Sequence, residues 1–595
     1  MNKNIDVERR LKRGEFKQAL VELDKLPACM WRDTHILMCL RELARLKDAG
    51  ALAKRLHNDI LAKTLNYEGS KPSKSELRHL LRHIALILSE IGEHAPAVQI
   101  TSKLCAESPK LVSLHRERAY TLSNAGDIDA AESALQHALM LDPLHAQSHA
   151  QLARLYCRTG RVDQGCSAYS RALALEPKNC VLLSRLAFWS NFTNHTTQRN
   201  QYQLSQLWQL ACHFNAQQEQ SARLIQKQSL KLGFVSSQLN SSNVLPCLNA
   251  LLANLNTQEC ETVVYNDTSI FNKRLKSSVN VVETKHLSNN ALVSRIQEDQ
   301  VDILFDLTGH HSSSRLAIFA QRAAPVQISW LAYLSTTGLK QVDYRLTDRQ
   351  IDPVGLSEEH YSETLVRMPH NFLTFSEPLQ APEIDKTETK TGLRFGSFNS
   401  LAKISPVTID AWANCLHLVA DSTLCLKRKQ LNSESARNFY RSQFKQRGID
   451  PERLLFLTSD PNPSRHLAHY NDIDIALDTS PVNGLATTFE ALWMGTPVIT
   501  FSGETSASRI GSLLLSSVNL EQLCATDLGS FANTAKQLAN DPTRRSQLNK
   551  DLRKRLLDSE LMNEQQFAED FMYTVKQCWL DKCTSPNKEE GRTNG

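Results

Sequence analysis

The sequence predicts an α-helical repeat solenoid followed by an α/β region with two Rossmann-like halves. Three observations carry this prediction. Glycine, alanine and proline recur at a fixed step in the first third of the chain, short β-branched runs alternate with amphipathic stretches from about residue 230, and a segment rich in Pro, Thr and charge divides the second region. At 595 residues the chain is too long for one hydrophobic core, so several packed units are expected.

The repeat is visible in three residue types. Each type recurs at a step of 34 residues: Gly92, Gly126 and Gly160; Ala85, Ala119 and Ala153; Pro109, Pro143 and Pro177. Small residues let two antiparallel helices approach closely, glycine turns the chain between them, and proline stops the second helix. This is the tetratricopeptide (TPR) period, and the concave face of such a stack is expected to bind a peptide or protein partner. The alternative is an oligomerisation stalk.

Composition and charge argue against several classes of function. The chain is 41% hydrophobic and 22% charged, as in ordinary globular proteins, and its net charge of +5 does not indicate a nucleic-acid partner. Its charged opening lacks the apolar core of a signal peptide, and no stretch approaches eighteen apolar residues, so a cytoplasmic protein without a membrane span is expected. The 14 cysteines include no CxxC pair and are expected to be reduced thiols.

The second region has the pattern of parallel sheets covered by helices. Runs such as KLGFVS, DILFDL, RLLFLT and PVITFS predict buried strands, and helical segments lie between several of them. Ligands of such sheets bind in a cleft at the carboxyl ends of the strands. The predicted domains are TPR-like repeats with a capping helix over residues 1–200, a helical connector over 201–228, a first Rossmann-like domain over 229–380, a linker over 381–392, a second Rossmann-like domain over 393–580 and a disordered tail over 581–595.

One segment of the second half, DTSPVNGLATTFEALWMGTPVIT, has the features of an anion site. A strand ends at Asp478, a loop turns the chain, and a helix is expected to begin at Ala486. Exposed backbone N–H groups and hydroxyls at a helix start suit a diphosphate, and the alternative is an ordinary Thr-capped helix. The residues expected to line the anion site are Asn483, Gly484, Ala486, Thr487 and Thr488.

Several motifs follow one another between about residues 230 and 515. They include DILFDLTGHHSSSRLAIFAQRAAPVQISWLAYL, GLRFGSFNSLAKISPVTIDAWANCL, NGLATTFEALWMGTPVIT and GETSASRIGSLLL. In this order behind TPRs, they are similar to the O-linked N-acetylglucosamine transferase family, and to its bacterial SPINDLY-like members above all. The resemblance implies a GT-B fold and an inverting transfer, without a metal ion or cofactor, from a nucleotide sugar to Ser or Thr of a protein. The expected donor is UDP-N-acetylglucosamine.

The resemblance also implies roles for single residues. Lys403, in FNSLAK, matches the family lysine that contacts the diphosphate, where a cation stabilises the charge on the leaving group. Thr487 and Thr488 match helix-start positions at the diphosphate, Glu490 stands where the family has an aspartate near the ribose, and His466 aligns with a histidine that lies against the nucleotide. The alternatives are a solvated lysine, a glutamate favoured by the helix dipole and a polar helix face.

The match weakens on the acceptor side, which the resemblance assigns to the first Rossmann-like domain. The family has histidines after the first strand, one of them proposed as a general base, whereas this chain has none between Gly233 and Asn249. Ser242 occupies the closest position, and a hydroxyl is a poor base at neutral pH. Asp299 matches a family aspartate proposed to assist with this proton and is the second candidate catalytic residue; the alternative is a solvated loop acid.

Two more features bear on the acceptor side. The loops at Gly309-His310 and Thr337-Gly338 match loops that face the cleft in the family, and Leu485 replaces the family's histidine or glycine after the NG turn. Since the departures cluster on this side, the competing hypothesis is a catalytically impaired pseudoenzyme. Such a chain would act as a TPR scaffold or a nucleotide-sugar-binding module.

Overall fold

The computed structural model describes residues 2–43, 45–62, 73–212, 225–268, 275, 279–311, 313–378, 380–385, 392–460 and 462–584. The chain divides into two compact units. The first comprises Met1–Leu155, Ser167–Glu176 and Thr284–Ser288, and the second comprises Tyr156–Cys166, Pro177–Glu283 and Asn289–Gly595. Most of the predicted tail, half of the predicted linker and part of the predicted connector lie outside the described residues, namely 585–595, 386–391 and 213–224.

The first 211 residues contain the predicted series of helices. Gly92, Gly126 and Gly160 have φ angles near +90° at the turns between paired helices, a backbone conformation that favours glycine. Ala97, Ala119 and other small residues of the repeat are buried where helices meet. The helices are α1 Asn2–Lys12, α2 Phe16–Asp24, α3 Met30–Glu42, α4 Leu46–Leu61, α5 Lys74–Glu90, α6 His94–Glu107, α7 Val112–Ala125, α8 Ile128–Leu141, α9 Ala146–Arg158, α10 Val162–Leu175, α11 Cys180–Ser190 and α12 Gln198–Ala211.

The expectation that all cysteines are thiols is wrong for one pair. Cys180 and Cys212 form a disulfide, with a Cα–Cα distance of 5.6 Å, that joins the start of α11 to the end of α12. The other twelve cysteines are free. Spacing along the chain carried no sign of this pair, because the two cysteines meet only when the two helices pack side by side.

The first sheet of the second unit has seven parallel strands in the order β3-β2-β1-β4-β5-β6-β7. Strands β4 and β5 are buried on both faces, which explains the apolar run of β4 over residues 303–305, while β5 also buries Gln327 and Ser329. The strands are β1 Leu230–Ser236, β2 Cys260–Asn266, β3 Asn280–Glu283, β4 Ile303–Asp306, β5 Val326–Ser329, β6 Tyr344–Thr347 and β7 Thr364–Arg367, with helices α13 Leu245–Asn254, α14 Asn289–Glu298 and α15 Leu316–Phe319.

The second sheet has six parallel strands in the order β10-β9-β8-β11-β12-β13. Both sheets therefore have the Rossmann strand order, with switch points between β1 and β4 and between β8 and β11. The elements are β8 Arg394–Ser397, α16 Pro406–Leu418, β9 Thr423–Lys427, α17 Glu434–Lys445, β10 Leu454–Leu457, α18 Pro463–Ala468, β11 Ile475–Leu477, α19 Ala486–Trp493, β12 Val498–Phe501, α20 Ile510–Ser516, β13 Cys524–Ala525, α21 Leu528–Ala539, α22 Pro542–Leu557 and α23 Glu564–Thr584.

The lobes around the two sheets contact each other through buried polar groups. Ser506, in the GETSASRIG motif, donates to Asp352 Oδ1 at 2.6 Å and pairs with the Tyr361 hydroxyl at 2.8 Å. Arg509 of the same motif donates to the Ile351 carbonyl at 2.9 Å. The predicted two-lobed α/β architecture is confirmed, and no helix in the described part of the chain is long and apolar enough to cross a membrane.

The last helix of the described residues, α23, packs against the first lobe although it follows the strands of the second sheet. Asp570 accepts from His370 Nδ1 at 2.6 Å, Lys576 pairs with Glu259 at 2.5 Å, and the Phe571 ring lies 5.3 Å from the Phe305 ring. The sequence analysis placed residues 393–580 in the second domain and did not predict that α23 contacts the first lobe. A contact between segments some 200 residues apart leaves no local pattern in the sequence.

Candidate functional site

The candidate site lies at the carboxyl edge of the second sheet, at its switch point. Strands β9, β8 and β11 are parallel neighbours, so the residues that end or follow them stand side by side. These residues are Lys427, Phe398, Asn399, Arg428 and Asp478.

Asp478 organises the loop between β11 and α19. Its carboxylate, which is 1% exposed, accepts hydrogen bonds from Thr500 Oγ1 and Gly484 N at 2.7 Å, Thr479 N at 2.8 Å and Asn399 Nδ2 at 3.2 Å. Burial raises the pKa of this carboxyl, and the hydrogen bonds act in the opposite direction. The bonds fix the path of the chain into the helix start.

Three side-chain oxygens converge above Gly484. A Cβ placed on this glycine would lie 2.5 Å from Thr487 Oγ1, 2.7 Å from Thr488 Oγ1 and 3.0 Å from Asn399 Oδ1. Thr487 Oγ1 donates to Asn399 Oδ1 at 2.8 Å, and Leu485, at the N-cap position of α19, has no side-chain acceptor. The alternative of a Thr-capped helix therefore does not hold, and the helix start keeps the small, polar surroundings that an anion requires.

Lys403 reaches the same loop from the other side. It ends a short 3-10 helix after β8, and its amine donates to the Asn483 carbonyl at 2.6 Å, three residues before α19 begins. Burial lowers the pKa of this amine to about 8, and the charge of Asp478 acts in the opposite direction. Lys403 is therefore not a solvated surface lysine, and the structure brings it together with Asn483, Gly484 and the start of α19.

His466 and Glu490 contact each other at the adjoining end of the site. His466 Nε2 lies 3.1 Å from Glu490 Oε2, and the Tyr470 hydroxyl donates to the same oxygen at 3.2 Å. The amine of Lys427 lies 3.1 Å from His466 Nδ1. Glu490 lies beyond the first turn of α19, so these contacts explain its position better than the helix dipole does.

Asn399 connects the two ends of the site. Its amide contacts Asp478 and Thr487, while its backbone carbonyl accepts from Arg428 Nε at 2.9 Å. Sequence reasoning missed Asn399, Lys427 and Asp478 as site residues. The available signal was their position at the ends of predicted strands, which becomes informative only once the strand order is known.

The structure does not bring Asp299 to Lys403. Asp299 lies before β4, at the amino end of the first sheet, where its carboxylate accepts from Tyr265 Oη at 2.8 Å and Arg295 Nε at 2.9 Å. It is therefore paired rather than a solvated loop acid. Its catalytic role stays a prediction.

The loops of the first lobe that were expected to face an acceptor pack tightly on each other. His310 is fully buried, with Nδ1 at 3.0 Å from Ser184 Oγ and Nε2 at 2.9 Å from the Thr337 carbonyl. Burial lowers the pKa of His310 to about 4, so the ring is neutral, with Nε2 donating and Nδ1 accepting. A Cβ on Gly309 would lie 2.2 Å from the Tyr333 side chain. An acceptor role for these loops stays a prediction.

Comparison with known proteins agrees with this architecture. The model of glycosyl transferase family 41 matches residues 197–377 and 389–571, and a tetratricopeptide repeat model matches residues 124–186. A mutant of the Thermobaculum terrenum O-GlcNAc transferase superposes with a TM-score of 0.81 at 27% sequence identity, covering 86% of this chain and 99% of that chain.

Two plant relatives match half of the chain or more. The Petunia hybrida protein named "Probable UDP-N-acetylglucosamine--peptide N-acetylglucosaminyltransferase SPINDLY" is 34% identical over 372 residues, and the protein of the same name from Eustoma exaltatum subsp. russellianum is 37% identical over 299 residues. The alignments cover 60% and 50% of this chain, but only 39% and 32% of those relatives. Since the family model matches more than half of the chain, with the switch-point site inside the match, the chain belongs to glycosyl transferase family 41.

Proposed function

We propose that the chain transfers a sugar from a nucleoside diphosphate, with UDP-N-acetylglucosamine as the expected donor, to a Ser or Thr hydroxyl of a protein held by the TPR face. The observation that carries the proposal is that the Lys403 amine bonds the Asn483 carbonyl, in the loop whose next residue, Gly484, lies beneath the Thr487 and Thr488 hydroxyls at the start of α19. A cation, two hydroxyls and backbone N–H groups at one loop suit the two phosphates of such a donor. The names of the family relatives agree with this chemistry.

The proposed reaction is an in-line displacement at the anomeric carbon. A bond forms between the acceptor oxygen and this carbon while the bond to the diphosphate oxygen breaks on the opposite face, which inverts the configuration. Negative charge grows on the departing diphosphate, and the Lys403 ammonium supplies there the positive charge that a metal ion supplies in other transferases. Its pKa of about 8 keeps the amine mostly protonated at pH 7, and a bound anion favours the charged form further.

The remaining roles divide between the two ends of the site. Thr487 and Thr488 donate to the diphosphate, Glu490 accepts from the ribose hydroxyls, and His466 lies against the nucleotide base. The acceptor hydroxyl loses its proton to a base, for which Asp299 stays the predicted group. The expected cytoplasmic location also stays a prediction.

A binding panel and a transfer assay test the proposal on the full chain. We expect UDP-N-acetylglucosamine or another sugar nucleotide from a UDP, GDP and dTDP panel to raise the melting temperature, because a ligand that binds only the folded state stabilises it. Lys403→Met should remove most of this shift, whereas Lys429→Met, which removes an exposed charge of the same lobe, should keep it. The absence of a shift with every nucleotide sugar would contradict the donor site.

The pseudoenzyme remains the competing function, and two observations favour it. No histidine lies between Gly233 and Asn249, and the carboxylate of Asp299 is held by Tyr265 and Arg295. Transfer to proteins of a cell lysate, and hydrolysis of the nucleotide sugar, decide between the two functions. A pseudoenzyme would bind the nucleotide while showing neither activity above the Lys403→Met background.

A further inference from the structure

Lys427, at the end of β9, is an unusual residue in this site. Lys427 is only 2% exposed, and none of the described residues forms a salt bridge with it. The amine contacts His466 twice, at 3.1 Å from Nδ1 and 3.2 Å from the backbone carbonyl, and lies 5.1 Å from the centre of the Phe398 ring. Burying a cation without a bonded counter-ion is energetically unfavourable. The position of Lys427 at the carboxyl edge of the sheet therefore indicates a functional role.

The contacts of Lys427 determine which imidazole nitrogen of His466 carries the proton. Burial lowers the pKa of the amine to about 8, so at pH 7 it is mostly an ammonium group, which only donates hydrogen bonds. His466 Nδ1 must then accept, and the proton of the neutral ring lies on Nε2. This nitrogen faces Glu490 Oε2 at 3.1 Å and donates to it.

Glu490 is held by two donors on one oxygen. His466 Nε2 and the Tyr470 hydroxyl both donate to Oε2, and the pKa of this phenol is raised by burial, so that it stays a donor. No described residue donates to Oε1. A carboxylate oriented in this way presents one oxygen to ligand groups that donate hydrogen bonds, such as the vicinal hydroxyls of a ribose.

We propose that Lys427 is a positioning residue of the nucleotide site: it fixes His466 as the Nε2–H tautomer, and through His466 it holds Glu490 with one carboxylate oxygen turned to the ribose hydroxyls of the donor. The inference rests on the proposed function, because it concerns the same ligand. It adds a residue that makes no ligand contact itself and acts only through its neighbours.

The test compares two ligands on matched variants of the full chain. Lys427→Met removes the charge at similar length, and Lys429→Met removes an exposed charge two residues away. Calorimetry measures the affinity for UDP and for 2′,3′-dideoxyuridine diphosphate, which lacks both ribose hydroxyls. We expect Lys427→Met to weaken UDP binding about tenfold, to leave the binding of the dideoxy analogue unchanged, and to raise KM for the donor with little change in kcat.

Each outcome supports or overturns the inference. Equal weakening of both ligands would make Lys427 a merely structural lysine, and unchanged UDP binding would leave it without a role in the site. Failure of the wild-type chain to bind UDP or any nucleotide sugar of the panel would overturn the proposed function, and the inference with it. If Lys427→Met does not fold, the tautomer of His466 in the wild type decides, because an Nδ1–H ring in its nitrogen NMR spectrum contradicts the proposal.

Discussion

Replacing Lys403 by methionine should separate stability from ligand binding. The Lys403 amine is partly buried, and its only bonded acceptor among the described residues is the Asn483 carbonyl. We therefore expect an ammonium group in this position to serve a ligand rather than the fold. Methionine has a similar length and no charge, so the variant removes the cation without opening a large cavity.

The size of the effect follows from the pKa of the amine. A decrease from 10.5 to about 8 corresponds to about 3 kcal/mol against the charged amine in the folded chain at neutral pH. The lost hydrogen bond to Asn483 offsets about 1.5–3 kcal/mol of that gain. We therefore expect the free energy of unfolding of Lys403→Met to lie between no change and a gain of about 2 kcal/mol. In the complex, the lost charged hydrogen bond should weaken UDP about 10- to 100-fold.

Thermal unfolding and calorimetry with UDP at pH 7 measure both quantities, with Lys429→Met as the control. The expected combination is a melting temperature no lower than that of the wild type and a clearly weaker affinity. A variant that is destabilised by more than about 2 kcal/mol and binds UDP normally would refute the reasoning, because Lys403 would then serve the fold.

Three further predictions follow from the site. Gly484→Ala should weaken UDP at least tenfold, because its Cβ would lie within 2.7 Å of two threonine oxygens; Gly529→Ala in α21 is the control, and calorimetry is the measurement. The free energy of unfolding of the chain without ligand should rise between about pH 8 and 10.5, because Lys403 and Lys427 have lost their protons there in the folded but not in the unfolded chain. Urea titrations measure this rise, and the variant with methionine at both positions should lack it. Asp299→Asn should lower the free energy of unfolding by about 1–3 kcal/mol, because the charged hydrogen bonds to Tyr265 and Arg295 are lost. If the variant instead keeps the stability of the wild type and loses activity in a transfer assay, the result supports Asp299 as the base.

Local sequence patterns were enough to predict the architecture. The site was predicted only in part, because several of its contacts join residues that are far apart in the sequence. The 34-residue step reports one helical pair at a time, and buried strands are visible as apolar runs, so both parts of the fold were accessible. The start of α19 was found from its own strand–loop–helix pattern, and Lys403 was found because its motif resembles a family. Lys427 was missed because a single lysine at the end of an apolar strand has no pattern of its own. Its contact with His466, 39 residues along the chain, forms only in the folded structure.

Under the proposed function, the contacts of Asn399 would limit how the donor specificity of the chain can change. Asn399 holds the loop that is proposed to bind the phosphates, through Asp478 and Thr487, and it holds the arginine that follows β9 through its carbonyl. A substitution that moves Arg428 is therefore expected to shift the Thr487 hydroxyl as well, because both groups contact Asn399. We expect a substitution selected for a new nucleotide to lower, at the same time, the transfer of the original sugar. Compensating changes should then appear next to Asn399.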